Sequence, residues 1–298
     1  MPFDDSSERR YVLEGPYDLG RTLLLGDLGR KNATLQRPSD DELMRATWTP
    51  EGPASVHVRV RAGEVEARAW GPGRAWLLDA LPGHLGLDDR PPRFADKLGR
   101  LQRQLPGVRR GRALDVFDLV TSYVIRQRVA WRDAVATQTS ILRAHALPAP
   151  GPLDLRLPLS PEQWLSLTTA DLAAHGLDRK RAKTLLGLAA RAERIRSFAA
   201  LDSRQFVQKL ESFTGIGAWT SAMVAGHGLG DHDAVPLGDY ELPSMIAWFF
   251  AGEPRADDAR MLELLEPYRG HRFRVIHLLM GAGQHAPRFG PRIRGVRP

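Results

Sequence analysis

Apolar positions recur along the chain with two different periods, and the change between them falls near residue 92. Before it, two runs alternate strictly. Residues 55–60 set Val56, Val58 and Val60 against Ser55, His57 and Arg59. Residues 64–70 set Val65, Ala67 and Ala69 against Glu64, Glu66 and Arg68. Period two is that of a half-buried strand, and Arg61, Ala62 and Gly63 between them supply a Gly-containing turn, so a hairpin is expected. A third strand is expected over 43–49. Short helices are expected over 19–28 and, after the breakers Gly71, Pro72 and Gly73, over 75–81. The sequence Asp88, Asp89, Arg90, Pro91, Pro92 marks a boundary, because paired prolines stop regular structure.

Beyond it the helical period takes over. Helices are expected over 94–104, 115–128, 131–145, 161–167, 171–175, 179–196, 204–213, 219–226, 240–250, 257–268 and 273–281. Ser160 before Pro161, and Ser203 ahead of a helical run, are start signals. The pattern predicts an α+β protein. An amino-terminal domain over 1–92 carries a small antiparallel β-sheet plus helices, and an all-helical region follows over 93–298.

Composition narrows the classes open to such a fold. The chain has 298 residues, 43% hydrophobic and 26% charged, which is the make-up of a folded protein rather than a disordered one. It has no cysteine, which removes disulfides, thiolate zinc sites, iron–sulfur clusters and thiol nucleophiles. No apolar run approaches the ~20 residues that span a bilayer, and the polar start has no signal-peptide core. A cytoplasmic protein is therefore expected. The net charge of +7 is unevenly placed. Residues 93–132 carry 10 basic and 3 acidic side chains, and 178–196 carry 7 and 2, whereas 231–270 carry 3 and 9. The last 28 residues have six arginines and no acid. Basic blocks in a near-neutral frame suit a polyanion such as nucleic acid, and solvated helix faces account for them equally well.

The candidate chemistry gathers downstream of residue 210. A helical pattern runs into Gly215, Ile216 and Gly217, and a second begins at once. Two glycines around one aliphatic side chain let the backbone turn tightly while Ile216 enters the core. The amides opening the second helix would then point outward together and seat one phosphate. A helix-hairpin-helix is the reading favoured over an ordinary corner between helices. Further on, Asp239 follows Val235, Pro236, Leu237 and Gly238 at the mouth of another helix. On its own, such an aspartate is most often an N-cap.

A phosphate-gripping hairpin followed at this distance by an aspartate after a Val-Pro segment resembles the signature of the HhH-GPD superfamily of base-excision DNA glycosylases, and within it the AlkA-type alkylpurine glycosylases. The resemblance extends over nearly the whole chain. Residues 11–13 and 16–18 are similar to the opening strand and turn of that family's amino-terminal domain. Residues 115–118 with 125–129 resemble its first long helix and the Gln-containing turn after it, and 176–182 resemble a basic helix start.

The resemblance implies a role for each matching residue. Thr214, Gly215, Ile216, Gly217, Ala218 and Thr220 would hold the DNA backbone, and the hairpin carbonyls of Phe213 and Ile216 would hold a monovalent cation. Asp239 would be the catalytic carboxylate facing the sugar of an extruded nucleotide. Trp219 stands where strand-nicking relatives have a nucleophilic lysine, which implies base removal without lyase chemistry; it is equally a packed aromatic at a helix start. Trp219, Met223, Tyr240 and Leu279 would border the base pocket, Leu279 replacing an aromatic. Gln127 and Arg128 occupy the turn that carries the wedge filling the gap in the stack; for Arg128 a phosphate contact or plain surface charge is an equal alternative. His227, His232, His271, His277 and His285 show no metal-ligand spacing, so no catalytic metal is expected. Asp231 and Asp233 are expected to shape a loop, and Glu263 and Glu266 to lie on a solvated face. The implied protein needs no cofactor, works as a monomer in the cytoplasm at the nucleoid, and has damaged double-stranded DNA as its partner. It would hydrolyse the glycosidic bond of alkylated purines. Release of oxidised, deaminated or bulky bases, or lesion binding without chemistry, are the alternatives.

Overall fold

The computed structural model describes residues 5–23 and 32–287. The far half of the helix expected over 19–28, and the arginines at 288, 292, 294 and 297, lie outside the described residues.

Five antiparallel strands form one sheet: β1 (Ser6–Val12), β2 (Leu35–Ser39), β3 (Glu42–Thr49), β4 (Gly52–Arg61) and β5 (Glu64–Trp70), in the order β1-β5-β4-β3-β2. The β4–β5 hairpin pairs Val58 with Ala67, and Ala62 and Gly63 both take positive φ (49° and 80°), the turn that matches strand twist. β2 escapes the sequence pattern. It is short, holds Pro38 and shifts register between Gln36 and Ser39, which confines it to an edge. Helices α1 (Leu19–Thr22) and α2 (Arg74–His84) cover one face, packing Leu19, Leu77, Leu78 and Leu81 on Val56, Val58 and Val65.

The remaining helices follow in order. The first are α3 (Asp96–Gln104), α4 (Val116–Arg126), α5 (Trp131–His145), α6 (Pro161–Leu165), α7 (Thr169–Ala174), α8 (Arg179–Ala189) and α9 (Ala192–Ser197). Then come α10 (Ser203–Glu211), α11 (Ala218–Val224), α12 (Leu242–Ala251), α13 (Asp258–Leu265) and α14 (Arg272–Gly281). The single helix expected over 179–196 divides at residues 190–191. Ser160 caps α6 in a reciprocal capping box with Gln163, as its position suggests. The start of α10 is a correction. Asp202, not Ser203, is its cap, accepting the N–H of Gln205, and Ser203 is the first helical residue.

Two helical lobes result, each with its own core. α4 to α11 bury Phe117, Tyr123, Leu185, Phe206 and Leu210, whereas α3 joins α12, α13 and α14 around Leu98, Ile246, Met261 and Leu279. The boundary expected at residue 92 falls in the loop before α3. The sheet is nevertheless finished by a much later segment. Leu155 and Leu157 pack on Ala46, Trp48 Nε1 donates to the Pro158 carbonyl (2.8 Å), and Ser55 Oγ donates to that of Pro150 (2.6 Å). No helix among the described residues is long and apolar enough to cross a membrane.

Candidate DNA-processing site

The hairpin between α10 and α11 owes its shape to two glycines with different duties. Gly215 has φ +90°, and a Cβ there would stand 2.1 Å from Thr184 Oγ1 on α8. Gly217 has an extended backbone (φ −126°, ψ −177°) and open space where a Cβ would project. Between them Ile216 is buried in the α4–α11 core. No side chain caps the first turn of α11, and Thr214, Gly217 and Ala218 are exposed, so the amides opening the helix face outward at the positive end of its dipole. Thr220 is buried. Lys180 and Lys183 are exposed on α8, whose Thr184 abuts the hairpin, so part of the basic 178–196 block borders this surface.

Asp239 lies in the turn entering α12. Its Oδ1 accepts the N–H groups of Glu241 (2.8 Å), the N-cap residue of α12, and of Leu242 (2.9 Å), the first helical residue, so it serves the helix mouth from two positions ahead of the N-cap. Its Oδ2 accepts Nε1–H of Trp219 (2.7 Å), the second residue of α11. Three donors thus fix the carboxylate, leaving one of its roughly four acceptor directions free. The Trp219 bond crosses from one helical lobe to the other. Beneath it Tyr123 of α4 meets the indole edge-on (5.7 Å between centroids, 81°). The Tyr123 hydroxyl is hydrogen-bonded to Nδ1 of His227, in the π-helical turn Ala225–Leu229 that extends α11. Burial pushes the Tyr123 phenol up to about 12, and burial beside Arg110 holds the His227 imidazole well below its ordinary value. Both groups are therefore neutral at pH 7 and act as rigid support. Sequence reasoning passed over Tyr123, whose only signal is a buried position in an amphipathic helix.

The four residues expected at the base pocket fall in different surroundings. Trp219 is half-buried against Asp239. Met223 is buried in the α4–α11 core, and Leu279 is fully buried in the other core among α3 and α12–α14. Tyr240 is 95% exposed. Leu279 thus packs as a core leucine, and the phenol beside Asp239 stands in solvent rather than in an enclosed wall.

Gln127 also differs from its expected place in the wedge. It ends α4 and turns its amide inward, Nε2 donating to the Gly215 carbonyl (2.9 Å) and to Thr220 Oγ1 (2.8 Å), so both of its N–H donors brace the hairpin. Arg128 points out from the same turn with φ +57°, a conformation that non-glycine residues seldom adopt. Val129 (37%) and Trp131 (53%) are exposed just beyond it. Because Gln127 joins the turn to the hairpin, both belong to one surface.

The cation implied at the hairpin would meet hard carbonyl oxygens, a fitting donor set. The Phe213 carbonyl already accepts Ile216 N–H (3.0 Å) and keeps one lone pair for it. Among the described residues no group of three or more histidine or acidic side chains could hold a metal ion.

Sheet, helical lobes and glycine hairpin together define the fold of the DNA glycosylases. The 3-methyladenine DNA glycosylase of Archaeoglobus fulgidus superposes with a TM-score of 0.78 at 18% identity, over 91% of this chain and 97% of that one. The 8-oxoguanine glycosylase/lyase of Clostridium acetobutylicum, bound to duplex DNA with cytosine opposite 8-oxoguanine, gives 0.68 at 14% identity, over 95% and 98%. The 3-methyladenine DNA glycosylase Mag1 of Schizosaccharomyces pombe, in complex with abasic DNA, gives 0.54 at 16% identity, over 66% and 96%. At these identities the likeness is one of fold. No protein-family model and no curated protein matches the sequence.

Proposed function

We propose that the protein is a monofunctional DNA glycosylase that releases alkylated purines such as 3-methyladenine from duplex DNA by hydrolysis, opening base-excision repair. The observation that carries this reading is the Asp239 carboxylate, fixed by Trp219 from the helix whose outward-facing first amides would seat a phosphate. A base inside a duplex is out of reach, so the nucleotide must be extruded, which costs a few kcal/mol and is easiest at a damaged pair. With the backbone held at the hairpin, the sugar of the extruded nucleotide would face Asp239. As the bond from C1′ to the purine nitrogen breaks, its electron pair leaves with the base and positive charge builds on the sugar. The carboxylate stabilises that charge, water adds to C1′, and the proton is lost to Asp239 or solvent. An alkylated purine is already cationic and departs neutral, so no strong general acid is required.

Trp219 supplies no amine for a Schiff base, and the free base and an intact abasic strand are the expected products. Incubation with duplexes carrying 3-methyladenine, 7-methylguanine, hypoxanthine or 8-oxoguanine should release the two alkylated bases fastest, and borohydride should trap no protein–DNA adduct. A trapped adduct would refute the hydrolytic route. Faster release of 8-oxoguanine would favour the alternative, a glycosylase for oxidised or deaminated bases.

Trp219 is also a positioning residue. Trp219→Phe keeps an aromatic edge against Tyr123 but removes the donor to Oδ2, so kcat should fall roughly tenfold to a hundredfold, in line with losing a charge-assisted bond. Substrate affinity should change by much less. An unaltered kcat would show that the backbone cap alone holds the carboxylate. The proposed setting is a cytoplasmic, nucleoid-bound monomer, with duplex binding that weakens steeply as salt rises.

A further inference from the structure

Beyond the Gln127 turn, α5 opens on an indole that the protein has braced but not covered. Trp131, its first residue, is 53% exposed. The guanidinium of the buried Arg126 lies over the Trp131 ring, 4.8 Å from its centroid. The same guanidinium stands over the ring of Tyr123 (5.1 Å), which meets Trp219 edge-on, and Trp219 in turn holds Asp239. A chain of contacts thus runs from the carboxylate through Trp219, Tyr123 and Arg126 to a ring in solvent.

The surroundings of that ring suit a nucleic acid. Gln127 ties the turn to the hairpin through the Gly215 carbonyl and Thr220 Oγ1, so the indole stands four residues from a tether to the phosphate seat. Residues 126–132 contain three arginines, and Asp133 is the first acid after them. Arg128 and Arg132 are exposed and make no ion pair among the described residues. A planar apolar group laid on the indole would remove its surface from water, and because Arg126 already holds the ring, little side-chain freedom would be lost.

We propose that Trp131 is a stacking platform for an unpaired nucleobase, the base of the opposite strand that loses its partner when the damaged nucleotide is extruded. The inference rests on the glycosylase reading and adds a second DNA contact to it. Asp239 takes the extruded sugar at one end of the chain of contacts, and the other end is left for what stays in the duplex. The orphaned base is planar, unpaired and open on one face. Every base has such a face, so the platform accepts any of the four. Arg128 and Arg132 contribute charge for the phosphates beside it, without reading sequence. Gln127, committed to the hairpin, has no part in this contact.

The test is a cycle that deletes the indole and the base in turn. Full-length wild type and Trp131→Ala are titrated by anisotropy with two duplexes carrying the uncleavable abasic analogue tetrahydrofuran, one with thymine opposite it and one with a second tetrahydrofuran opposite. Trp131→Ala should weaken binding of the thymine duplex by about tenfold to a hundredfold, the range for one lost base–aromatic stack, and binding of the doubly abasic duplex by much less. Trp131→Phe should recover part of the loss. With 2-aminopurine opposite the analogue, the wild type should quench its fluorescence more than Trp131→Ala does. Equal losses on both duplexes would mark a structural effect, and no loss on either would leave the indole for a different partner; each overturns the platform. No base is released in these assays, so the two readings fail separately. Equal affinity of the wild type for undamaged and abasic duplexes strikes the glycosylase reading and the platform with it, whereas a retained preference without coupling strikes the platform alone.

Discussion

Asp239→Asn should lower the rate of base release by on the order of 10²–10³-fold or more, while duplex affinity stays close to wild type and Tm falls modestly. The magnitude is that expected when one fixed electrostatic group facing a developing charge is removed. The isosteric change keeps the contacts to the start of α12 and removes the charge together with the Trp219 bond. The amide oxygen of asparagine still accepts from the N–H groups of Glu241 and Leu242, so the start of α12 keeps its cap. Its NH₂ then meets Nε1–H of Trp219, two donors face to face, and the link across the lobes is lost along with the charge. Single-turnover release from a 3-methyladenine duplex, with anisotropy for binding, measures both. Release at the wild-type rate would remove Asp239 from the chemistry and leave it a helix cap. Asp239→Ala should additionally cost about 1 kcal/mol in stability, the usual value of a lost cap.

Gly215→Ala should weaken duplex binding by about tenfold to a hundredfold and lower Tm. Two costs combine. An alanine at φ +90° is strained, and its Cβ would stand 2.1 Å from Thr184 Oγ1, so α8 and the hairpin must separate. That separation also strips the Gly215 carbonyl from Gln127. Gly217→Ala is the control. Its Cβ enters open space at an ordinary φ, so Tm should hold while affinity drops, because the methyl occupies the approach of the phosphate. Adding Thr184→Ala to Gly215→Ala relieves the collision but not the φ strain, and should restore only part of the stability. If Gly215→Ala binds duplex DNA as the wild type does, the hairpin is not the backbone grip.

These two sites differ in how far the sequence displays them. The hairpin is legible because its physics is local, with two glycines, one aliphatic plug and a helix on either side within a dozen residues. The β4–β5 turn is legible for the same reason. Asp239 was visible as a residue, and so was its capping role, but not its bond to Trp219, which depends on where two lobes meet. The inward turn of Gln127 was hidden likewise, because its acceptor, Gly215, lies 88 residues away. β2 was missed because Pro38 and its brevity conceal an edge strand whose existence depends on β3. The buried Asp89–Arg274 pair spans 185 residues and has no local signal whatever. The leucine at 279 shows the converse, since its likeness to a pocket position gave no hint that the chain would use it as core.

The two helical lobes are not consecutive in the chain. α3, at residues 96–104, packs with α12–α14 at 242–281, and everything from α4 to α11 intervenes. During synthesis most of the middle lobe can pack while α3 still lacks its partners, and Phe273 of α14 is the late addition that completes the middle core. Only when the last helices emerge can the outer lobe close and bring Asp239 against Trp219. The order of contact formation runs from local to distant, since closing so long a loop is entropically costly. The seam that holds the carboxylate thus depends on contacts between distant parts of the chain, the kind whose loop closure costs the most entropy. A chain stopped before α14 would keep the hairpin and most of the middle core, yet leave α3 and α12 without the helix that closes their own core.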